Sequence, residues 1–410
     1  MTKTRMLVVL GTRPEAINLA PVIRALKSPR ASATPGDSQA DVVICSTGQH
    51  REMLASALGS FGLKADLDLA LMRDNQDLVE LLGRSLIGLR KVIADVQPDV
   101  VISQGDTTTA MASGLAAFFM GKRFAHVEAG LRTGDRQHPF PEEVNRRIAG
   151  VAADIHFAPT EAAASALLNE GVHSDSIFLT GNTVVDATQW ALELSADRPL
   201  PGELDPGDAP LLLVTAHRRE NFGKPFEELC RGIQEIARRF PALRVIYPVH
   251  LNPNVRAPVE KILGNNDRIT LVEPLDYLSF LALMNRAKLI LSDSGGVQEE
   301  APALGKPVLV MREVTERPEV VAAGNVKLVG TNSERIVEAA TTLLENPVAW
   351  ESMAQVRPVY GDGLASQRIR EVLLNGTMHT RPFQEWKPEY VSTRAASDPD
   401  LVSGEIAITS

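Results

Sequence analysis

KLILSDSGGVQEE, residues 288–300, is the stretch on which the fold turns. Lys288–Leu291 is a short apolar run. It passes through Ser292, Asp293 and Ser294 into two glycines and a helical pattern, the signature of a buried strand feeding a crossover helix. Gly295 and Gly296 at a helix start let a ligand approach the backbone, and the free N–H groups and dipole of the first turn favour phosphate. Ser294 can cap that turn or donate to a phosphate oxygen. Glu300, about one turn further on, is placed to accept the hydroxyls of a ribose. The same turn also serves plain tight packing of strand on helix. The GxGxxG dinucleotide fingerprint and the GxxxxGK[ST] phosphate loop are both absent, which counts against NAD and ATP chemistry.

Outward from this unit the pattern repeats. Apolar, β-branched runs occur at Met6–Leu10, Asp41–Ser46, Asp99–Ser103, Phe124–Val127, Asp154–Phe157 and Ile177–Leu179. A second series comprises Leu211–Thr215, Arg244–Val249, Ile269–Val272, Lys288–Leu291, Pro307–Met311 and Val326–Val329. Helical patterns lie between them, as in Leu19, Val22, Ile23 and Leu26, although Pro21 should kink that helix. The Pro-, Asp- and Gly-rich segment SADRPLPGELDPGDAP (195–210) separates the two series. The expectation is α/β: two doubly wound, Rossmann-like domains, residues 1–194 and 211–360, facing each other across a cleft and joined by 195–210. A C-terminal helix follows within 361–380, and a polar, patternless tail occupies 381–410.

At 410 residues the chain exceeds one ordinary core, in keeping with two domains. Aromatic content of 5% and a net charge of −9 exclude a stacking platform or phosphate-backbone footprint for nucleic acid. Cys45 and Cys230 read as buried thiols in a reducing compartment. No CxxC or HExxH occurs, so no metal site is expected. Met6–Leu10 is too short for a signal peptide and no run suits a membrane span. The expected location is the cytoplasm.

Ligands of open parallel sheets sit beyond the carboxyl ends of strands, and there the loops carry charge. GTRPEA (11–16) offers Arg13, and QGDTTT (104–109) offers Asp106. HVEAGLRTGD (126–135) offers Glu128, and PFPEEVNRR (139–147) opens a helix with Glu142. One such acid is usually a helix cap. Three converging on one cleft raise one another's pKa values and supply acid and base partners at neutral pH. HRREN (217–221) sets His217 and Arg218 opposite them, and TERPE (315–319) sets Arg317 where its guanidinium can fork onto a diphosphate.

These motifs, together with GQHREM, TGNTVVDA, YPVHLNP and the long block from Ser292 through GKPVLVMR, resemble the non-hydrolysing UDP-N-acetylglucosamine 2-epimerases over about residues 5–375. The resemblance implies a glycosyltransferase-B-like fold, a homodimer, UDP held mainly by the second domain, and no external cofactor. It implies reversible C2 epimerisation of UDP-N-acetylglucosamine to UDP-N-acetylmannosamine by elimination and re-addition of UDP. Carried over motif by motif, Asp106, Glu128 and Glu142 form the acid/base group, with His217 near the diphosphate. Arg13, Asn18, Arg218, Ser294, Gly295, Gly296, Glu300 and Arg317 bind the nucleotide sugar, and Phe280 stacks on uracil. Gln49, His50, Gln76 and His250 match positions that hold a second, regulatory substrate molecule in some members. Asn18 departs from the lysine usual in the family. That leaves open a relative such as a 2,3-diacetamido uronic sugar nucleotide, a transferase of the same two-domain plan, or a non-catalytic sensor.

Overall fold

The computed structural model describes residues 3–28, 40–48, 51–73, 77–137, 139–196, 198–315 and 317–384. Strand β1 (Arg5–Leu10) is buried at all but its first residue and pairs in parallel with β2 (Asp41–Ser46) and β4 (Val100–Gln104). A strand covered on both faces needs a continuous apolar run rather than an alternating one, and MLVVL supplies it. With β3 (Leu67–Asp68), β5 (Arg123–Val127), β6 (Ile155–Ala158) and β7 (Ile177–Leu179), the first sheet runs β3-β2-β1-β4-β5-β6-β7.

The second sheet comprises β8 (Leu211–Thr215), β9 (Arg244–Pro248), β10 (Ile269–Val272), β11 (Ala287–Ser292), β12 (Val308–Val310) and β13 (Val326–Leu328), ordered β10-β9-β8-β11-β12-β13. Every pairing among the described residues is parallel. This is the α/β, doubly wound, glycosyltransferase-B-like arrangement expected. Strand order reverses between β1 and β4 in one sheet and between β8 and β11 in the other. Crevices form at such switch points, so the loops after these four strands are the ones aimed at a ligand.

Helix α1 (Arg13–Lys27) runs as one element with Pro21 buried inside it. Pro21 costs the helix one N–H, and burial of the Leu19, Val22, Ile23 and Leu26 face offsets that loss. Apolar contact joins the domains beneath the cleft, where Tyr277 of the second lies 5.8 Å from Phe61 of the first between ring centroids.

The chain then returns. Helix α15 (Ala365–Asn375) docks on α7 (Thr183–Ser195), with Asp186 accepting from the Ala365 and Ser366 N–H groups and the Ser366 hydroxyl. Arg368, 2% exposed, donates to Thr180 O and to both oxygens of Asp362. Phe383 falls in the segment read from sequence as tail, yet it is buried and its N–H reaches Leu179 O. An aromatic set among Pro and polar residues in no helical or strand pattern gives no periodicity, so only the fold reveals its anchor.

Among the described residues, no helix is long and apolar enough to cross a membrane.

Candidate active site

The two helix starts at the switch points differ in one respect that decides what each can bind. The amino end of α1 is already filled by a carboxylate. Glu15 accepts from the N–H groups of Gly11 (2.8 Å) and Thr12 (2.7 Å) and from the Thr12 hydroxyl, while the Thr107 hydroxyl donates to its other oxygen at 2.6 Å. Among the described residues helix α11 (Gly295–Ala303) has no such plug: its cap residue, Ser294, makes no side-chain capping bond. Oriented N–H groups without an internal acceptor attract an anion.

Arg317 lies over this opening. A Cβ built on Gly295 would stand 2.7 Å from its Nη1, and Glu299 holds its Nε at 2.6 Å. Asp293, fully buried, accepts from the His217 and Arg218 N–H groups and from Asn221 Nδ2, fastening the HRREN loop to the glycine turn.

Across the cleft stand two carboxyl groups in different surroundings. Asp106, at the end of β4, is ion-paired with Arg146, and Asn145 Nδ2 donates to its carbonyl at 2.9 Å. Glu128 follows β5 with a φ of 63°, a left-handed conformation that costs a non-glycine residue about 1 kcal/mol or more. Burial raises its pKa to about 8, and Glu299 and Asp106 add to the rise, while Asn182 and Arg317 oppose it. At neutral pH the site therefore sets a largely protonated Glu128 beside an Asp106 that is ion-paired with Arg146.

His126, on β5, is fully buried and neutral, its pKa lowered to about 4 by burial. Its Nε2 lies 2.7 Å from Gly105 O, a contact that takes the Nε2–H tautomer and ties the Asp106 loop to the Glu128 strand.

These groups surround a cleft of about 900 Å³ between the domains. Arg13, Asn18, Asp106, Glu128, Arg218, Ser294, Gly295, Gly296 and Arg317 all line it. Five other candidates do not. Glu142 is half-buried at the start of α5 (Glu142–Ala152), and the acid beside it, Glu143, binds Thr133, Arg146 and Arg147. Phe280, in α10 (Tyr277–Arg286), packs partly buried against the core. Glu300 is buried, accepts from the Tyr277 hydroxyl at 3.1 Å, and has its pKa raised to about 7 by burial.

His217 stacks on His250 at 5.5 Å, and burial lowers its pKa, so it stands neutral. Gln49, His50 and Gln76 lie outside the described residues. No cluster of three or more His, Cys, Asp or Glu suited to a metal ion occurs among the described residues.

The family model described as UDP-N-acetylglucosamine 2-epimerase matches residues 33–374. The chain belongs to the UDP-N-acetylglucosamine 2-epimerase family. It is 48% identical over 382 residues to the UDP-N-acetylglucosamine 2-epimerase of Escherichia coli K12, covering 90% of this chain and 98% of that protein. The Bacillus subtilis enzyme of the same name is 46% identical over 374 residues, covering 91% and 96%. The crystal structure of UDP-GlcNAc 2-epimerase from Neisseria meningitidis bound to UDP-GlcNAc superposes with a TM-score of 0.82 at 44% identity, covering 90% of this chain and all of that one.

The site also contains partners given no role from sequence: Glu15, Arg146, Asn182 and Glu299 line the cleft, and Asp293 is fully buried under the HRREN loop. Arg146, Asn182, Glu15, Asp293 and Glu299 all lie inside quoted motifs. Arg146 stands three residues after Glu143, hence on the same helix face, which is the signal that would have found it.

Proposed function

We propose that this protein interconverts UDP-N-acetylglucosamine and UDP-N-acetylmannosamine by eliminating and re-adding UDP. The observation that carries this reading is the meeting in one cleft of the Glu128–Asp106 pair with the unfilled amino end of α11 and Arg317. A C2 proton is weakly acidic and leaves only as C1 gains cationic character. The leaving diphosphate then needs cations and N–H groups, and Arg317, Arg218 and the Ser294–Gly296 turn are placed to supply them. The C2–H and C1–O bonds break together. The C–H electrons form a C1=C2 double bond, UDP leaves with the C–O pair, and a carboxylate takes the proton. Return of UDP to C1 with a proton delivered to the opposite face of C2 gives the epimer.

In this reading Glu300 accepts the ribose hydroxyls and Phe280 stacks on uracil. A second sugar nucleotide held at His250 would act on the diphosphate end through the stacked His217 ring. Exposed Phe118, Phe119 and Val151, at the ends of the packed helices α4 (Thr108–Phe119) and α5, offer an apolar face for a second copy in a homodimer.

Proton NMR of UDP-N-acetylglucosamine incubated with the protein in D2O tests the function. Deuterium should enter C2 as the manno epimer appears. Free UDP accumulating beside unlabelled sugar would mean hydrolysis or transfer instead.

Asn18 is buried in α1 and lines the cleft. Asn18→Lys should raise kcat/KM on UDP-N-acetylglucosamine by about tenfold, the effect of one close cation–phosphate contact of about 1.4 kcal/mol. Glu15, one turn earlier, limits the gain by pairing with part of the new charge. Steady-state kinetics showing a folded but slower variant would move the diacetamido uronic sugar nucleotide to the front, because Asn18 would then be reading a group that lysine cannot.

A further inference from the structure

We propose that Asn182 is the positioning residue of the Glu128 carboxyl group, and that it fastens this group to the crossover by which the chain returns from the second domain. The inference rests on the reading of Glu128 as an acid/base group.

Glu128 stands at a strained backbone angle, and such a residue stays put only where its surroundings over-determine it. On the main-chain side, the Ala129 N–H bonds to Phe157 O and the Gly105 N–H to Val127 O. On the side-chain side, the amide of Asn182 donates from Nδ2 to Glu128 Oε2 at 2.9 Å. That bond leaves Oε1 as the oxygen on the Gly105 side, where a Cβ added to Gly105 would lie 3.9 Å away.

Asn182 cannot drift. It is 3% exposed, and its Oδ1 accepts from the Val184 N–H at 3.1 Å, capping α7. Its own N–H bonds to Tyr360 O. Tyr360 belongs to the returning segment, and its hydroxyl donates at 3.1 Å to Glu319 in α12 (Pro318–Ala323), the helix that Arg317 caps. Close backbone approach locks the junction: a Cβ on Gly361 would stand 3.1 Å from Asn182 O, and one on Gly181 would stand 3.3 Å from the Gly361 Cα. A hydrogen-bonded path thus runs from Glu128 through Asn182 and Tyr360 to Glu319, beside the diphosphate end.

The charged groups facing Glu128 are Glu299 and Asp106, which disfavour its ionised form, and Arg317, which favours it. The amide of Asn182 adds a donor on the favouring side. Removing that donor moves the titration of Glu128 to higher pH.

The test uses the full chain with Asn182→Ser, Asn182→Asp and Glu128→Gln. Serine keeps a cap oxygen but is too short to reach Glu128. Aspartate keeps the cap and sets a second carboxylate against Oε2. UDP affinity by calorimetry reports folding, and either Asn182 variant carries the test if the other fails to fold.

Expected for Asn182→Ser is a fall in kcat of about tenfold or more with KM for UDP-N-acetylglucosamine little changed. The alkaline limb of the pH profile should also move up by about half to one unit. Asn182→Asp should show a larger shift in the same direction. Kinetics and a limb like those of the parent in both Asn182 variants, beside an inactive Glu128→Gln, would overturn the positioning role and leave the proposed function standing. A fall in kcat with an unmoved limb would reduce Asn182 to a helix cap and also overturn it. An active Glu128→Gln would remove the premise, and the inference with it.

Discussion

Gly295→Val should reduce UDP affinity by about a hundredfold to a thousandfold while the protein stays folded. The argument is local. A Cβ at 295 would stand 2.7, 2.9 and 3.0 Å from the Nη1, Cζ and Nη2 atoms of Arg317, so the guanidinium must leave its place over the α11 amino end. Because the obstructing atoms are the tip of a flexible side chain, the protein can yield and the fold survives. The ligand cannot yield in the same way. It loses a fork of charge-assisted hydrogen bonds, worth about 1.5–3 kcal/mol, and its close approach to the first-turn N–H groups.

Gly296 separates the two losses. A Cβ there has only Ser294 Oγ near it, at 3.9 Å, so Gly296→Ala disturbs no protein atom and any loss of affinity must come from the ligand's own space. Isothermal titration with UDP decides the matter. A folded Gly295→Val that binds UDP like the parent would mean the diphosphate does not sit on this turn.

Much of this was legible in advance, and the physical reason is burial on both faces. Strands such as Met6–Leu10 and Leu211–Thr215 must be continuously apolar, and continuous runs between helical patterns can be read without any fold. β3 (Leu67–Asp68) was not legible. Its two residues are exposed and sit at a sheet edge, where no apolar run is required.

In the site, residues that announce themselves by position were found: a glycine pair opening a helix, acids and arginines after strands. Those that act by holding another residue were not. Asp293 was given no role, yet it carries the HRREN loop. Asn182 carries no such mark in the sequence: it caps α7, and its amide nitrogen also reaches a residue 54 positions away. Separation of that kind is set by sheet order, which sequence pattern does not encode. Glu142 and Glu143 show the converse. Adjacent acids in a first turn are indistinguishable in sequence, and packing alone makes the second the buried anchor of Arg146.

The same packing makes the acid/base pair testable by pH. Glu128 has its pKa raised to about 8, chiefly by burial and then by Glu299 and Asp106, whereas Asp106 is held in an ion pair by Arg146. On the proposed reading the working form of the free enzyme keeps the proton on Glu128. Above about 8 Glu128 loses its proton and no acid remains.

The kcat/KM of the parent should accordingly fall along an alkaline limb near pH 8 as Glu128 loses its proton. Glu128→Gln preserves size and a hydrogen-bonding face but can neither take nor deliver a proton. It should lower kcat by about 10²- to 10⁴-fold, the usual contribution of a positioned acid or base. The same variant should abolish the alkaline limb and suppress deuterium entry at C2. UDP affinity should change little, because the diphosphate contacts belong to the other domain. A Glu128→Gln variant with kcat/KM within tenfold of the parent and the limb still in place would show that another group moves the proton. Asp106 and Glu142 would then be the carboxylates to examine by the same three measurements.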